Sequence, residues 1–224
     1  MKQYALGMDL YEALYTTRAM RRVKPDPIPD DIVASILDAG IRAPSAGNTQ
    51  NWRFMTVTDR DLMRRLGEFY ADAWKQLNET LYAGMRDLAE QRGDTTTQRV
   101  MSSADWLAAN FGNVPLLILP FHRNDPDGSS IYPAVWNLIL AARGHGIGAT
   151  LTTVLHHFKH AEVCELLGVP AGKGWKLAAA VPMGYPLGKW GVAERPPVTE
   201  VTYADGWGRS PAWTAERPLW PAGD

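Results

Sequence analysis

Ala43-Pro-Ser-Ala-Gly-Asn-Thr-Gln-Asn-Trp-Arg-Phe-Met-Thr-Val-Thr58 is the stretch that decides the fold, because the chain changes structural type within it. Upstream, Ile32, Val33, Ile36, Leu37 and Ile41 place one apolar face on a helix. Asp30 and Asp31 open that helix, where acidic groups suit the dipole, and Pro44 stops it. Downstream, Arg53 to Thr58 reads as a strand. The residues between are small or carry amides, as a helix-to-strand loop requires.

Working outward toward the N-terminus, Lys24 to Pro29 (KPDPIP) breaks any helix, since proline lacks a donor and restrains its predecessor. Before it come a short helix, Asp9 to Tyr15, and a basic cluster, Arg18, Arg21 and Arg22. Toward the C-terminus a helical stretch is expected from Asp61 to about Gln91, a loop over Gly93 to Thr97, and a helix from Gln98 to Phe111. Val114 to Phe121 is continuously apolar and predicts a central strand. Asn124 to Ser130 reads as a loop and Ile131 to Arg143 as a buried helix ended by Gly144, Gly146 and Gly148. Ala149 to Val154 is expected to be extended, His160 to Leu167 helical, and Leu177 to Met183 a strand. From Ala204 onward three Trp, three Pro and three Gly in 21 residues exclude a helix.

Composition narrows the function classes. The 224 residues carry 23 Lys+Arg against 24 Asp+Glu, a net charge of -1 that argues against a general nucleic-acid binder. Hydrophobic residues at 46% exclude wholesale disorder. One cysteine, Cys164, forms no internal disulfide and fits a reducing compartment. The start, MKQYALGMDLYEALYTT, has no long apolar core, and the longest apolar run is far too short to cross a bilayer. The expectation is a soluble, cytoplasmic protein without membrane or nucleic-acid partners.

Three motifs are set aside. Gly144 to Ala149 matches G-x-G-x-x-A, but a helix precedes it and a strand follows, the reverse of a dinucleotide-binding turn, so a glycine helix cap explains it better. His156, His160 and Cys164 at i, i+4, i+8 would share a helix face, yet no acidic residue stands at the HEXXH position and no further local ligand completes a set, so no metal is expected. No G-x-S-x-G elbow occurs, and Cys164 sits in an apolar VCELL context that suits a packed thiol.

The basic cluster, the Ala43 to Trp52 loop and the distant Arg195 in AERPPV are each unremarkable alone. Together, TTRAMRRVKPDPIP, a helix, RAPSAGNTQNWRFMTVTD, GHGIGATLTT, AAVPMGYP and an Arg before PPVTEV resemble the nitroreductase-like flavoproteins. Their pattern runs RRSVRxF, a proline-rich step, a helix, then APSxxNxQPW and a strand. The resemblance covers about Tyr11 to Tyr203.

The resemblance implies an α+β fold with a central, mainly antiparallel sheet surrounded by helices, built as an intertwined homodimer. It implies an FMN-binding domain over residues 1–203 and a Trp/Pro-rich extension, residues 204–224, packing on the partner subunit. Arg18, Arg21 and Arg195 would hold the FMN phosphate and ribityl end, with Ala19 beside them. Pro44, Ser45, Asn48 and Gln50 would reach the flavin ring of the other subunit, and Leu151, Thr152 and Thr153 would lie against one ring face. NAD(P)H would pass hydride through flavin N5 to an electron-poor acceptor, a nitroaromatic, quinone or similar compound, by a ping-pong scheme without a catalytic side chain. Trp74, Tyr82, Trp106 and Phe111 are candidates for lining the acceptor site, with core packing the competing reading. The chain departs from the pattern at Ala19, Val23, Asn51 and Ala193, where the family has Ser, an aromatic, Pro and, in many members, Lys; Lys189 is a possible substitute for the last. A flavin-binding protein without turnover, and a relative doing dehalogenation or flavin fragmentation, are the alternatives. The physiological acceptor and the choice of NADH or NADPH are not written in the sequence.

Overall fold

The computed structural model describes residues 7–215 and 219–220. Residues 1–6 and positions 216–218 and 221–224 of the tail lie outside the described residues. By its contacts the chain forms two compact units, Ala19–Lys189 and Met1–Arg18 with Trp190–Asp224.

The larger unit is built around strand β2 (Leu116–His122), buried at every position. Its alternating side chains divide between two cores. Leu117, Leu119 and Phe121 enter one with Met63, Leu66, Tyr70, Leu107 and Phe111. Leu116 and Ile118 enter the other with Ile36, Ile131, Val135, Leu138 and Ile147. A strand apolar on both faces requires cover on both sides. Helices α3 (Arg60–Leu77) and α5 (Thr95–Asn110) contribute to the first core, and α2 (Asp30–Gly40) and α6 (Ile131–Gly144) to the second.

The sheet is antiparallel throughout, in the order β1 (Trp52–Val57), β2, β5 (Val181–Gly184), β3 (Gly148–Ala149). Strand β4 (Lys176–Leu177) also pairs with β2, so the apolar run expected as one strand is split in two. Pro120 explains the split. Its carbonyl accepts the Ala178 amide at 2.8 Å, so its missing N–H faces the same side, where β4 gives way to β5.

Other boundaries follow local chemistry. Asp94 accepts from the amides of Thr96 and Thr97 and starts α5 at Thr95, ahead of the expected Gln98. The long helix after Asp61 is interrupted by a π-helical turn over Asn78–Tyr82, followed by α4 (Ala83–Gln91). There Asn78 Nδ2 donates to the Trp74 carbonyl, and Arg86 donates to Asn78 Oδ1 and to both oxygens of Asp105. The stretch expected as extended from Ala149 is instead β3, an isolated bridge from Thr152 to Ala180, and a helix α7 (Val154–Phe158). A break at Lys159 separates α7 from α8 (His160–Leu166), so His156 and Cys164 do not share one continuous helix. Among the described residues no helix is long and apolar enough to cross a membrane, and no three His, Cys, Asp or Glu side chains form a metal-ligand group.

The smaller unit contains α1 (Leu10–Thr16), capped by Asp9, and the segment after Trp190. The Ala193 amide donates to the Tyr15 carbonyl at 3.3 Å, and the rings of Tyr15 and Trp220 lie 5.6 Å apart.

Two measurements check this account. A Cβ at Gly184 would stand 2.8 Å from Val23 Cβ and 3.1 Å from the Lys24 carbonyl, whereas one at Gly84 meets nothing within 4 Å. Gly184→Ala is therefore expected to lower stability to urea by about 1–3 kcal/mol, and Gly84→Ala to raise it by about 0.5–1 kcal/mol. Separately, burial depresses the His122 and His160 imidazoles, each of which has a buried Nδ1 without a hydrogen-bond partner. The unfolded chain, with histidines near about pH 6.5, then takes up protons first as pH falls. Stability should decline from pH 7.5 to pH 5.5 in urea titrations, and His160→Gln should flatten that decline.

Candidate functional site

Arg21 is carried by a segment laced to the sheet margin. The Met20 amide donates to the Ala149 carbonyl at 3.0 Å, the Leu187 amide to the Arg22 carbonyl at 2.9 Å, and the Lys24 amide to the Tyr185 carbonyl at 2.8 Å. Val23 completes an antiparallel bridge with Pro186. The backbone is thereby fixed on both sides of Arg21, whose side chain is half-buried. Burial pulls its guanidinium below the usual arginine range, and the groups that oppose this are the phenols of Tyr70 and Tyr82, not a carboxylate. A desolvated cation without an anionic partner is costly, and it is suited to an anion arriving from outside.

Tyr70 projects from the apolar stripe of α3 that also carries Met63, Leu66, Ala73 and Leu77. Its ring stacks on Phe111, with centroids 4.1 Å apart and planes 11° apart. Its hydroxyl meets Thr152 Oγ1 at 3.1 Å. Burial pushes the phenol up, while the Thr152 hydrogen bond and the Arg21 charge act the other way. Thr152 is itself held by reciprocal backbone hydrogen bonds with Ala180, at 3.0 and 2.8 Å. The fold thus sets Thr152, singled out in the sequence, against a tyrosine that was not, and the same phenol feels the charge of Arg21. A phenol inside an otherwise apolar helical stripe needs a buried partner, and that was the available signal. Nearby in the chain, Thr153 is half-buried and Leu151 is exposed, and the Thr150 hydroxyl is buried without a partner.

The loop after α2 is a separate construction. Ser45 Oγ accepts the Gln50 amide at 3.1 Å, and Gln50 Nε2 donates to Asn48 Oδ1 at 3.0 Å. Ser130 Oγ accepts the Ala46 amide at 3.2 Å. Gly47, Asn48 and Gln50 all have positive φ, at 57°, 53° and 48°. Two non-glycine residues in the left-handed region within three positions store strain that surrounding hydrogen bonds must hold. Pro44, Asn48 and Gln50 are exposed. Among the described residues no hydrogen bond or ion pair joins this loop to Arg21, Tyr70 or Thr152. A cleft of about 220 Å³ adjoins it, lined in part by Thr49, Asn51, Arg123 and Asp125.

In the smaller unit Arg195 and Thr17 line a groove of about 390 Å³ with Leu14 and Tyr15. Arg195 is exposed and donates to the Glu194 carbonyl, and the Thr17 hydroxyl is buried without a partner. Arg18 and Ala19 are exposed.

The aromatic candidates for an acceptor site divide. Phe111 is fully buried beneath Tyr70, and Trp74 is core, its Nε1 donating to Asp105 Oδ1 at 2.9 Å. For these two the structure favours packing, because α3 and α5 bury the faces that carry them. Tyr82 and Trp106 are half-buried.

The chain is 26% identical to rat iodotyrosine deiodinase 1 over 192 residues, which cover 80% of this chain but 63% of that protein. It is 25% identical to an NADH dehydrogenase of Thermus thermophilus over 213 residues, 87% of this chain and 95% of that one. An iodotyrosine deiodinase structure bound to FMN and 3-iodo-L-tyrosine superposes with a TM-score of 0.67 at 24% identity, covering 84% of this chain and 95% of the other. An FMN-bound nitroreductase of Desulfitobacterium hafniense gives 0.64 at 20% identity, covering 87% and 97%. These superpositions establish a shared fold. The model of the Nitroreductase family matches residues 14–185, and the chain belongs to that family.

Proposed function

We propose that the protein is an FMN-dependent oxidoreductase that draws reducing equivalents from NAD(P)H and delivers them to an electron-poor small molecule such as a nitroaromatic or quinone. The observation that carries this reading is Arg21, half-buried and without a carboxylate partner among the described residues, its charge felt by the Tyr70 phenol that in turn meets Thr152 Oγ1 at 3.1 Å. The FMN phosphate bears about -1.5 to -2 charges and three acceptor oxygens, which is what such a guanidinium lacks. By family resemblance Arg18 and Arg195 serve the same end of the cofactor. Leu151, Thr152 and Thr153 lie against one face of the ring. When bound, FMN supplies N5 as the atom that accepts and returns hydride.

The chain acts as a homodimer on this reading. The strained loop, exposed at Pro44, Asn48 and Gln50, reaches the ring held by the partner subunit, and the extension from Ala204 packs on the partner. The balanced charge and single cysteine favour the cytoplasm. A second reading, reductive dehalogenation, is favoured by the likeness to iodotyrosine deiodinases in both sequence and structure.

The deciding experiment is anaerobic mixing of the FMN-loaded protein with NADH and NADPH in turn. Bleaching of the flavin band is expected with at least one of them, and a band that persists with both removes the reductase reading. Adding a quinone, a nitroaromatic or 3-iodotyrosine to the reduced protein then separates the two readings by which compound restores the colour. Arg18→Ala and Arg195→Ala should each weaken FMN binding roughly ten- to a hundredfold, the value of about 1.5–3 kcal/mol for a charge-assisted contact. Arg21→Met should weaken it similarly yet raise the urea stability of the FMN-free protein by about 1 kcal/mol, since it removes an uncompensated buried charge. Titration by flavin fluorescence checks all three variants.

A further inference from the structure

We infer that the cleft at the C-terminal end of β2 is a binding site for a small organic acid, whose carboxylate is received by Arg123 and Ser130. None of the side chains assigned to the flavin above lines this cleft, so the inference goes beyond the FMN reading and does not need it.

Arg123 follows the last residue of β2, and its amide donates to the Asn51 carbonyl at 3.0 Å, which ties together the two loops that wall the cleft. Among the described residues the one interaction of its guanidinium is with the indole of Trp175, Cζ lying 5.1 Å from the ring centroid. Such a contact uses the flat face of a guanidinium and leaves its N–H edge open. Arg123 Nε is sealed from water without a hydrogen-bond partner, and no carboxylate among the described residues pairs with the group. Arg53 stands 5.1 Å from the same indole, so the nearest added charge is a second cation. Asp125 also lines the cleft but is already engaged. Its carboxylate accepts from the Ile131 amide at 2.9 Å, the Ser130 amide at 3.2 Å and the Ser129 hydroxyl at 3.3 Å, closing the start of α6. Ser130 Oγ in turn accepts the Ala46 amide at 3.2 Å. An amide can only donate, so the serine's own hydrogen is still to be given, and it has no acceptor among the described hydrogen bonds.

Ser130 is 7% exposed and lines the cleft, so the cleft is the direction from which its acceptor can come. The half-buried Asn51 side chain also has no partner among the described residues, and it stands where the family pattern has proline. What the cleft lacks is acceptors. A carboxylate supplies two oxygens in one plane, the match for the N–H edge of an arginine. The rest of the ligand follows from size and wall. The volume of about 220 Å³ has room for several waters, more than a bare oxyanion fills. Trp52 and Ile131 give it apolar surface beside the donors, which suits an aromatic or aliphatic body carrying the acid. An arginine present only to stack on Trp175 would leave the cleft indifferent to the charge of what enters it.

The test uses the full chain as purified, labelled at its indole nitrogens for NMR, because Trp52 lines the cleft and Trp175 carries Arg123. Benzoate, its neutral counterpart benzyl alcohol, and inorganic phosphate are titrated in turn while the indole N–H resonances are followed, and Trp52→Phe and Trp175→Phe assign the two that matter. Benzoate is expected to shift at least one of these two with saturation, benzyl alcohol to give no saturable shift, and phosphate to bind more weakly than benzoate. Arg123→Gln should weaken benzoate binding about ten- to a hundredfold, the range for a charge-assisted contact, and Ser130→Ala about two- to tenfold. Arg65→Gln, which removes an exposed charge on α3, should leave it unchanged. The inference fails if benzoate moves neither resonance, if benzyl alcohol binds as tightly as benzoate, if phosphate binds more tightly than benzoate, or if the Arg123 and Arg65 variants behave alike. Should Arg123→Gln not fold, Ser130→Ala and the comparison of acid with alcohol still decide. The readout follows indoles rather than flavin, so failure here leaves the FMN reading standing, and failure of that reading leaves this result intact.

Discussion

The burial of strand β2 on both faces is the constraint from which the larger unit follows. Seven consecutive positions, Leu116–His122, are shielded from water, and their side chains alternate between two cores. One face must be met by α3 and α5 and the other by α2 and α6, because either core left uncovered would expose a row of leucine and isoleucine. Each fully buried side chain of this kind contributes about 1.5–3 kcal/mol. The helices are therefore held by the sheet, and the sheet margin at β3 is where polar groups can gather without interrupting a core.

At that margin the fold sets a charge against the cost of burying it. The segment Met20–Lys24 is tied by backbone hydrogen bonds to Ala149, Tyr185 and Leu187, none of which depends on the Arg21 side chain. The guanidinium is kept in a half-buried place where burial lowers its affinity for a proton and the opposing influence comes from the Tyr70 and Tyr82 phenols rather than a carboxylate. A structure optimised for stability alone would pair such a group or replace it. Without a carboxylate partner for Arg21 among the described residues, the fold gives up stability in the free protein, and on the proposed function that cost is returned when the cofactor's phosphate binds. The strained loop at Gly47, Asn48 and Gln50 has the same character, with local conformational cost held by Ser45 and Ser130.

Much of the architecture could be read from local signals. The Asp30 and Asp31 opening, the stop near Pro44, the strand after Trp52 and the apolar run of β2 depend on neighbours a few residues apart, and each appears close to where it is expected. Departures arise where a local signal was present but outweighed or overlooked. Asp94 caps α5 earlier than the apolar spacing suggests. Asn78 and Arg86 interrupt a helix whose periodicity runs on. Pro120 removes a donor from the middle of the central strand and so divides the strand beside it.

What the sequence alone determined is the family, through the basic cluster, the Ala43 to Trp52 loop and their spacing, together with the order of the main helices and strands. Those features are contiguous, and their physical meaning lies in capping, turn chemistry and periodicity. Only the tertiary structure decided that Trp74 and Phe111 belong to the core, and that Tyr70 meets a threonine 82 positions away. The reason is that a side chain's partner across the fold depends on how helices and sheet pack against each other. No spacing along the chain encodes which face of α3 will find Thr152.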